Sequence, residues 1–265
     1  MGKNKTNNGI RIGVLISGGG SNLQAIIDAC ESGRINGKIV FAGADTTDAG
    51  GLERARKHNI PTFVVDYNAI IKTCTTENDL FPLVNIEKIF LKQNLFSEHY
   101  DFEKKKKFIL SRVAAESALL DNIKPYPFDL LVLAGFMRKL TPYFIDKVNK
   151  VRNMPVIMNI HPALLPAFPG VDGYGDTFRY GCKVGGCTVH FVDYGEDSGP
   201  IIGQKTFLID EDDTLESIKE KGLKLEWELY PECINLFADG RLKVIKKEII
   251  AQNGEISQRS IVIIE

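Results

Sequence analysis

Long apolar segments and a surplus of either charge are missing from this sequence of 265 residues. No apolar run approaches the ~20 residues needed to cross a bilayer, and the polar residues 1–9 lack the apolar stretch of a signal peptide. We therefore expect a cytoplasmic protein without a membrane partner. Lys and Arg number 33 against 34 for Asp and Glu, and this net charge of −1 argues against a nucleic-acid partner.

Paired cysteines are also missing. The chain has five cysteines, and none of them forms a Cys-x-x-Cys pair. Cys182 and Cys187 are the closest two, but no second ligand pair at zinc spacing accompanies them. The sequence therefore predicts no metal site, and we expect reduced thiols that pack as small hydrophobic side chains.

The composition and the pattern of apolar residues are those of a globular α/β protein. Hydrophobic residues make up 44% of the chain and charged residues 25%. Short apolar runs alternate with helical spacings, which predicts βαβ units and a doubly wound, mostly parallel sheet. Beyond Gly185, two strands separated only by a turn predict an antiparallel extension of this sheet. The predicted strands are 11–17, 38–43, 62–66, 128–135, 154–160, 187–193 and 200–209.

Three further segments complete the predicted organisation. Residues 213–239 have the pattern of one long helix, in which Pro231 predicts a kink or break. Residues from 67 to 112 are too long for a simple connection, and we expect a helical excursion from the sheet. The sequence thus predicts a single domain over residues 10–245 and a C-terminal tail, 246–265, whose apolar end could add an edge strand.

A run of three glycines separates the first predicted strand from the first predicted helix. Glycine permits a sharp turn and a close approach of the backbone to a ligand, and a helix start presents free N–H groups. Gly18–Gly20, followed by Ser21 and Asn22, therefore predicts an anion site, most often for phosphate. The alternative is a tight turn capped by Ser21 or Asn22. The Walker lysine is missing, and Leu23 stands where a dinucleotide site needs a small residue.

Asn159 and His161 close the fifth predicted strand and are followed by Pro162. The two-residue period of a strand places both side chains on one face, at the carboxyl edge where open α/β sheets bind ligands. An amide donor beside a titratable ring suits stabilisation of an oxyanion together with proton transfer. A packed or surface histidine is the alternative interpretation.

The other polar candidates have simple structural interpretations. His190 lies in an alternating strand and is predicted to be structural, whereas His58 and His99 are predicted to lie on the surface. The loop 193–200 between two strands is rich in acidic residues and glycine. A carboxylate there could hold and charge an imidazole, or the loop could be an ordinary acidic turn.

Six motifs occur in order over residues 11–243. They lie at 15–26, 51–55, 133–138, 159–166, 196–200 and 237–242. Together they resemble the phosphoribosylglycinamide (glycinamide ribonucleotide) formyltransferase family of the formyltransferase superfamily. The Asn-x-His stretch with Ala-Leu-Leu-Pro is shared by the wider superfamily, and the Gly-Ser-Asn-Leu-Gln segment narrows the resemblance to this branch.

This resemblance implies a Rossmann-like formyltransferase fold and a one-carbon transferase of purine biosynthesis. The formyl group would pass from 10-formyltetrahydrofolate, the co-substrate, to the amine of glycinamide ribonucleotide. By position in the motifs, Asn159, His161 and Asp197 would be catalytic. Asn159 and protonated His161 would stabilise negative charge on the formyl oxygen, while Asp197 would favour the charged imidazole and help to order a proton-carrying water.

The resemblance also implies the binding residues. Those expected at the phosphate and ribonucleotide are Gly19, Gly20, Ser21, Asn22 and Glu226. Those expected at the folate are Met137, Arg138, Lys139, Leu140, Asn159, Asp193 and Asp197. No metal or nicotinamide is required, and an oligomer is compatible with the family.

Two parts of the chain depart from the family pattern. The excursion 67–112 is longer than the usual connection, so the basic residue that contacts folate in relatives could be Lys104, Lys105 or Arg112. The segment 171–176 stands where many members carry histidines, and Ala167 where a basic residue is frequent.

Other functions stay open at this point. The chain could be a formyltetrahydrofolate hydrolase or a methionyl-tRNA formyltransferase, although we expect no room for the regulatory or RNA-binding domain that these enzymes carry. It could also be a non-catalytic module that binds folate or phosphate. A dehydrogenase with Asp45 on a ribose is disfavoured by the glycine spacing.

Overall fold

The computed structural model describes residues 9–73, 84–96, 101–150, 154–250 and 255–265. His99 and one of the five cysteines, Cys74, lie outside this described part. In chain order the elements are β1 (Ile10–Ile16), α1 (Ser21–Glu31), β2 (Gly37–Ala44), α2 (Gly51–Lys57), β3 (Thr62–Val64), α3 (Tyr67–Thr73), α4 (Ile86–Lys92), α5 (Phe102–Ile123), β4 (Leu130–Leu133), α6 (Pro142–Asn149), β5 (Ile157–His161), α7 (Gly173–Arg179), β6 (Val184–Phe191), β7 (Ile201–Leu208), α8 (Leu215–Ala238), β8 (Leu242–Ile250) and β9 (Ile256–Ile264).

A mixed sheet organises the described chain. Its strand order is β3-β2-β1-β4-β5-β6-β7, parallel from β3 to β5 and antiparallel at β6 and β7. The central strands β1 and β4 are buried on both faces, which explains their unbroken apolar runs. The predicted α/β class, the mostly parallel sheet and its antiparallel extension are confirmed.

Two apolar layers cover the sheet. On one face, Val14 and Ile16 of β1 pack with side chains of α1, α2 and α8. On the other face, Leu15 of the same strand packs with α5 and α6. The alternation along β1 follows the two-residue period of a strand. Among the described helices, none is long and apolar enough to span a bilayer.

Of the kink or break predicted at Pro231 in α8, the break does not occur, and the kink stays a prediction. The helix begins with a capping box in which Thr214 and Ser217 each accept a hydrogen bond from the other's backbone N–H, and it continues through Pro231 to Ala238. The neighbouring Tyr230 is buried, and its hydroxyl lies 2.9 Å from the carbonyl oxygens of Leu133 and Met158, between which its one O–H is shared. This packing against the sheet holds the helix beside the proline.

The C-terminal residues form a ribbon of their own. β8 and β9 pair antiparallel from Leu242↔Ile264 to Ile250↔Ile256, as a two-stranded sheet separate from the main one. The apolar end of the tail is thus a strand, but it pairs with β8 and adds no edge to the main sheet. The domain limit placed at residue 245 falls inside β8, and the division of the chain into one domain and a tail stays a prediction.

Candidate active site

The candidate site is a cavity of about 560 Å³ at the carboxyl ends of the parallel strands. It lies at the point where the sheet order changes direction, between β1 and β4, and the loops after these strands are joined by a hydrogen bond from Ser17 N–H to the Gly135 carbonyl at 3.0 Å. Open α/β sheets bind ligands at this position, and the volume is that of a small-molecule site.

His161 ends β5 and has only 3% of its surface exposed. Its Nε2 lies 2.8 Å from the carbonyl oxygen of Phe168, and its Nδ1 lies 3.2 Å from Oδ2 of Asp197. Both ring nitrogens therefore face hydrogen-bond acceptors, and the imidazolium is the form that donates to both. Within the described chain, Asp197 lines the cavity and Phe168 does not, so the Nδ1 side of the ring faces the ligand space.

Asp197 is held in a conformation that non-glycine residues seldom adopt, with φ of 51°. Its Oδ2 also accepts the N–H of Gly170 at 2.9 Å, and its Oδ1 lies 3.6 Å from Nε2 of His190. Burial alone would raise the pKa of this carboxyl group, but the nearby imidazole of His190, the charge of His161 and the Gly170 N–H outweigh it and lower the pKa. The loop thus presents an ionised carboxylate to His161.

Asn159 lies opposite His190 in the antiparallel pairing of β5 and β6. The Nδ1 of His190 lies 2.9 Å from the Phe191 carbonyl oxygen, and its Nε2 lies 3.2 Å from Nδ2 of Asn159. If Nδ1–H donates to Phe191, Nε2 accepts one amide hydrogen of Asn159 and leaves the other for a ligand. His190, predicted to be structural, therefore lines the cavity and contacts two of the three predicted catalytic residues.

The glycine loop approaches the start of α2 too closely for a side chain. A Cβ at Gly20, where φ is 71°, would lie 2.7 Å from Cα of Gly51. Helix α1 begins at Ser21, and no side chain caps its first turn. The alternative interpretation, a turn capped by Ser21 or Asn22, is therefore not found, and the first N–H groups of α1 are available to an anion.

Asn22 connects the glycine loop to α8. Its Nδ2 donates to Oε2 of Glu226 at 2.7 Å, and the hydroxyl of Tyr174 donates to Oε1 of Glu226 at 2.6 Å. Glu226 is buried, and burial raises its pKa although both hydrogen bonds lower it. The buried Oδ1 of Asn22 has no partner within the described residues. Asn22, Glu226 and Tyr174 all line the cavity.

The residues expected at the folate form the other wall of the same cavity. Met137 is largely exposed, and its N–H donates to Oγ of Ser17 at 2.8 Å. Arg138 is paired with Asp45, and Lys139 donates to Glu196 at 2.6 Å. All seven residues predicted to contact the folate line this cavity: Met137, Arg138, Lys139, Leu140, Asn159, Asp193 and Asp197.

The three basic candidates of the excursion do not reach this wall. Lys104, Lys105 and Arg112 belong to α5, and none of them is among the described lining residues. The guanidinium of Arg112 instead packs 4.8 Å from the ring centre of Phe108. Burial lowers the pKa of this guanidinium, and the nearby charge of Arg138 lowers it further.

The lining residues that sequence reasoning missed as site residues include His190, Tyr174, Lys219 and Leu223. Lys219, Leu223 and Glu226 are separated by four and three positions along α8, so they share one helix face. This spacing could have indicated Lys219 and Leu223 once Glu226 was assigned. No group of three metal-binding side chains occurs in the part of the chain that the structure describes.

The chain is similar to known formyltransferases along most of its length. Residues 10–234 match the formyl transferase family model. The chain is 34% identical over 224 residues to the phosphoribosylglycinamide formyltransferase of Bacillus subtilis (strain 168), covering 84% of this chain and 92% of that protein. It is 35% identical over 239 residues to the trifunctional purine biosynthetic protein adenosine-3 of Chironomus tentans, covering 89% of this chain but 14% of that protein.

A solved structure gives the same result. The crystal structure of glycinamide ribonucleotide transformylase 1 from Symbiobacterium toebii superposes with a TM-score of 0.70 at 35% sequence identity, over 98% of both chains. The resemblance and the enzyme class predicted from the motifs are confirmed. The chain therefore belongs to the formyl transferase family, in its phosphoribosylglycinamide formyltransferase branch.

Proposed function

We propose that Asn159, His161 and Asp197 transfer a formyl group from 10-formyltetrahydrofolate to the amine of glycinamide ribonucleotide. The observation that supports this most is the His161 ring, held between the Phe168 carbonyl and the Asp197 carboxylate with its Nδ1 side towards the cavity. A cytoplasmic location and an oligomeric state stay predictions from the sequence.

Asn159 and His161 stabilise the charge that develops during transfer. When bound, 10-formyltetrahydrofolate supplies the formyl carbon that the substrate amine attacks, and negative charge then grows on the formyl oxygen. The free amide hydrogen of Asn159 can donate to that oxygen, and the imidazolium of His161 at the same strand end places positive charge beside it. Donors fixed in a buried site need no reorganisation as the charge forms.

Asp197 accepts the proton that the attacking amine releases. A new C–N bond to the amine forms, the C–N bond to the folate nitrogen breaks, and one proton must pass from the amine to that nitrogen. The ionised carboxylate of Asp197 lines the cavity beside His161 and can take up this proton directly or through a water. The Gly170 N–H fixes the carboxylate in place.

The opposite end of the cavity suits the ribonucleotide. The first N–H groups of α1 bind the phosphate, and Glu226 contacts the ribonucleotide between Asn22 and Tyr174. Three side-chain cations other than histidine line the described cavity, and Lys219 is the one that forms no ion pair there. Lys219 therefore supplies counter-charge at this end.

Asn22→Ala is expected to raise the KM for glycinamide ribonucleotide by about tenfold, because the contact to Glu226 and a polar group at the phosphate are both lost. The KM for 10-formyltetrahydrofolate stays unchanged. Steady-state kinetics with each substrate varied in turn measures both values. Asp28→Ala, on the exposed face of α1, is the control, and a rise confined to the folate KM would place the phosphate elsewhere.

Lys219→Ala is expected to raise the same KM by about five- to tenfold, since a charge-assisted contact to the phosphate is lost. The effect shrinks with rising salt because the side chain is exposed. Lys224→Ala removes an equally exposed lysine of the same helix outside the described cavity lining and serves as the control. Equal changes in the two variants would contradict the assignment.

The whole function is tested with the purified chain, glycinamide ribonucleotide and 10-formyltetrahydrofolate. We expect formylated glycinamide ribonucleotide in amounts equal to the tetrahydrofolate released. Formate released in the absence of the amine would indicate a hydrolase, and formylation of methionyl-tRNA alone would indicate the neighbouring transferase. Binding of both compounds without turnover would indicate a non-catalytic module.

A further inference from the structure

The wall expected to bind folate, residues 136–141, is attached at one end to α3 and at the other to α5. At one end the ring of Phe136 meets the ring of Tyr67 edge to face, with centroids 5.9 Å apart. At the other end the backbone N–H of Thr141 donates to Oε1 of Glu116 at 2.6 Å, and the Thr141 hydroxyl donates to Oε2. Tyr67 starts α3 and Glu116 lies in the middle of α5.

Both carboxyl oxygens of Glu116 accept hydrogen bonds from one residue of this wall, Thr141. Glu116 is fully buried, and burial of a carboxyl group is costly unless both of its oxygens are hydrogen-bonded. Both oxygens bind Thr141, which is the residue preceding α6. The Thr141 hydroxyl consequently makes no capping bond to α6, although threonine at this position commonly does so. The Thr141 hydroxyl thus bonds to Glu116 of α5 instead of capping α6.

The middle of the wall is held by Asp45, which follows β2, and by residues of α3. The guanidinium of Arg138 is paired with Asp45, donates to Oδ1 of Asn68 at 3.1 Å, and lies 5.4 Å from the ring centre of Tyr67. Neither Glu116 nor Tyr67 is among the described cavity-lining residues. These two residues therefore act on the site only through the wall.

We propose that Glu116 is a positioning residue for the folate wall, and that helices α3 and α5 serve the site by holding this wall from behind. The proposal rests on the function proposed above, since it takes residues 136–141 as the folate contact. The pair of bonds to Thr141 fixes the end of the wall and the start of α6, and Tyr67 fixes the other end. The contacts of Arg138 then hold the guanidinium between them.

Glu116→Ala is expected to weaken binding of 10-formyltetrahydrofolate by about tenfold, measured as its KM and as its dissociation constant by titration calorimetry. The KM for glycinamide ribonucleotide stays within about twofold, since the hydrogen bonds of Glu116 run to Thr141 and not to the glycine loop or α8. Glu116→Gln restores folate binding, because the amide oxygen accepts the Thr141 N–H and the amide N–H donates to the hydroxyl. Glu103→Ala, in the exposed first turn of α5, is the matched control.

A second variant covers the case in which Glu116→Ala fails to fold. Thr141→Val removes the hydroxyl and keeps the backbone N–H bond, and we expect it to raise the folate dissociation constant about threefold. Unchanged folate binding in folded Glu116→Ala or Thr141→Val, or no rescue by glutamine, would overturn the proposal. Failure of the proposed function is seen separately, as wild-type protein that binds folate without forming the formylated product, while the calorimetric comparison of variants still decides the role of Glu116.

Discussion

Replacing His161 with alanine is expected to lower kcat by about 10²–10⁴-fold, the range for losing a positioned donor that also takes part in proton transfer. The ring faces acceptors at both nitrogens, the Phe168 carbonyl oxygen and the Asp197 carboxylate, so its charged form is matched to its surroundings. Alanine removes both the donor and the charge. The KM values of both substrates change little, because the phosphate end and the folate wall are formed by other residues.

The measurement is single-turnover and steady-state kinetics on protein whose thermal unfolding is compared with that of the wild type. His161 is buried, so the comparison separates loss of catalysis from loss of folding. His161→Asn is a companion variant that retains a neutral donor at the strand end and is expected to recover part of the rate. His58→Ala, at a histidine paired with Glu31 away from the cavity, is the control. A folded His161→Ala protein with near-normal kcat would refute the mechanism.

The parts of the fold that the sequence predicted are those in which the local pattern of apolar residues matches the burial of the element. β1 and β4 are apolar at successive positions because helices cover both of their faces, so their pattern alone indicates a parallel sheet. The pairing of β9 with β8 was not predicted, since apolar alternation does not specify a partner strand. Of the kink or break predicted at Pro231, the break does not occur, because tertiary packing of α8 outweighs the local preference of proline.

The site residues also separate into those that local pattern predicts and those that depend on contacts between distant elements. Asn159 and His161 could be placed on one face from the period of a strand, before any contact was known. The position of His190 in the site depends on the antiparallel register that places it opposite Asn159. No spacing within one strand reveals that register. Tyr174 lies in the segment that departs from the family pattern, and its bond to Glu226 joins residues 52 positions apart. Such contacts follow from the packing of α7 on α8, and the sequence does not encode them locally.

Asp197→Asn is expected to lower kcat by about 10²-fold or more, in the range found when a proton-transfer group is lost. Asparagine has the same shape and its amide oxygen can still accept the Gly170 N–H, so the loop keeps its anchor. It carries no charge opposite His161 and cannot take up the proton of the amine. Asp212→Asn, at an exposed aspartate on the approach to α8, is the control and should leave kcat unchanged.

The pH dependence tests the same group in a second way. The pKa of Asp197 is lowered in the folded protein, so its carboxylate is present at neutral pH and the wild-type rate falls only when acid reaches that lowered pKa. The contribution of this carboxylate to the free energy of unfolding is complete above the pKa that Asp197 has in the unfolded chain. It is lost as the pH falls through the lower pKa that Asp197 has in the folded protein. Asp197→Asn should therefore lack this acid limb in kcat, and its deficit in unfolding free energy should shrink in acid. If the variant kept both the wild-type rate and the acid limb, the proton would be carried by another group, and the pair of His161 and Asp197 would serve only to hold the loop.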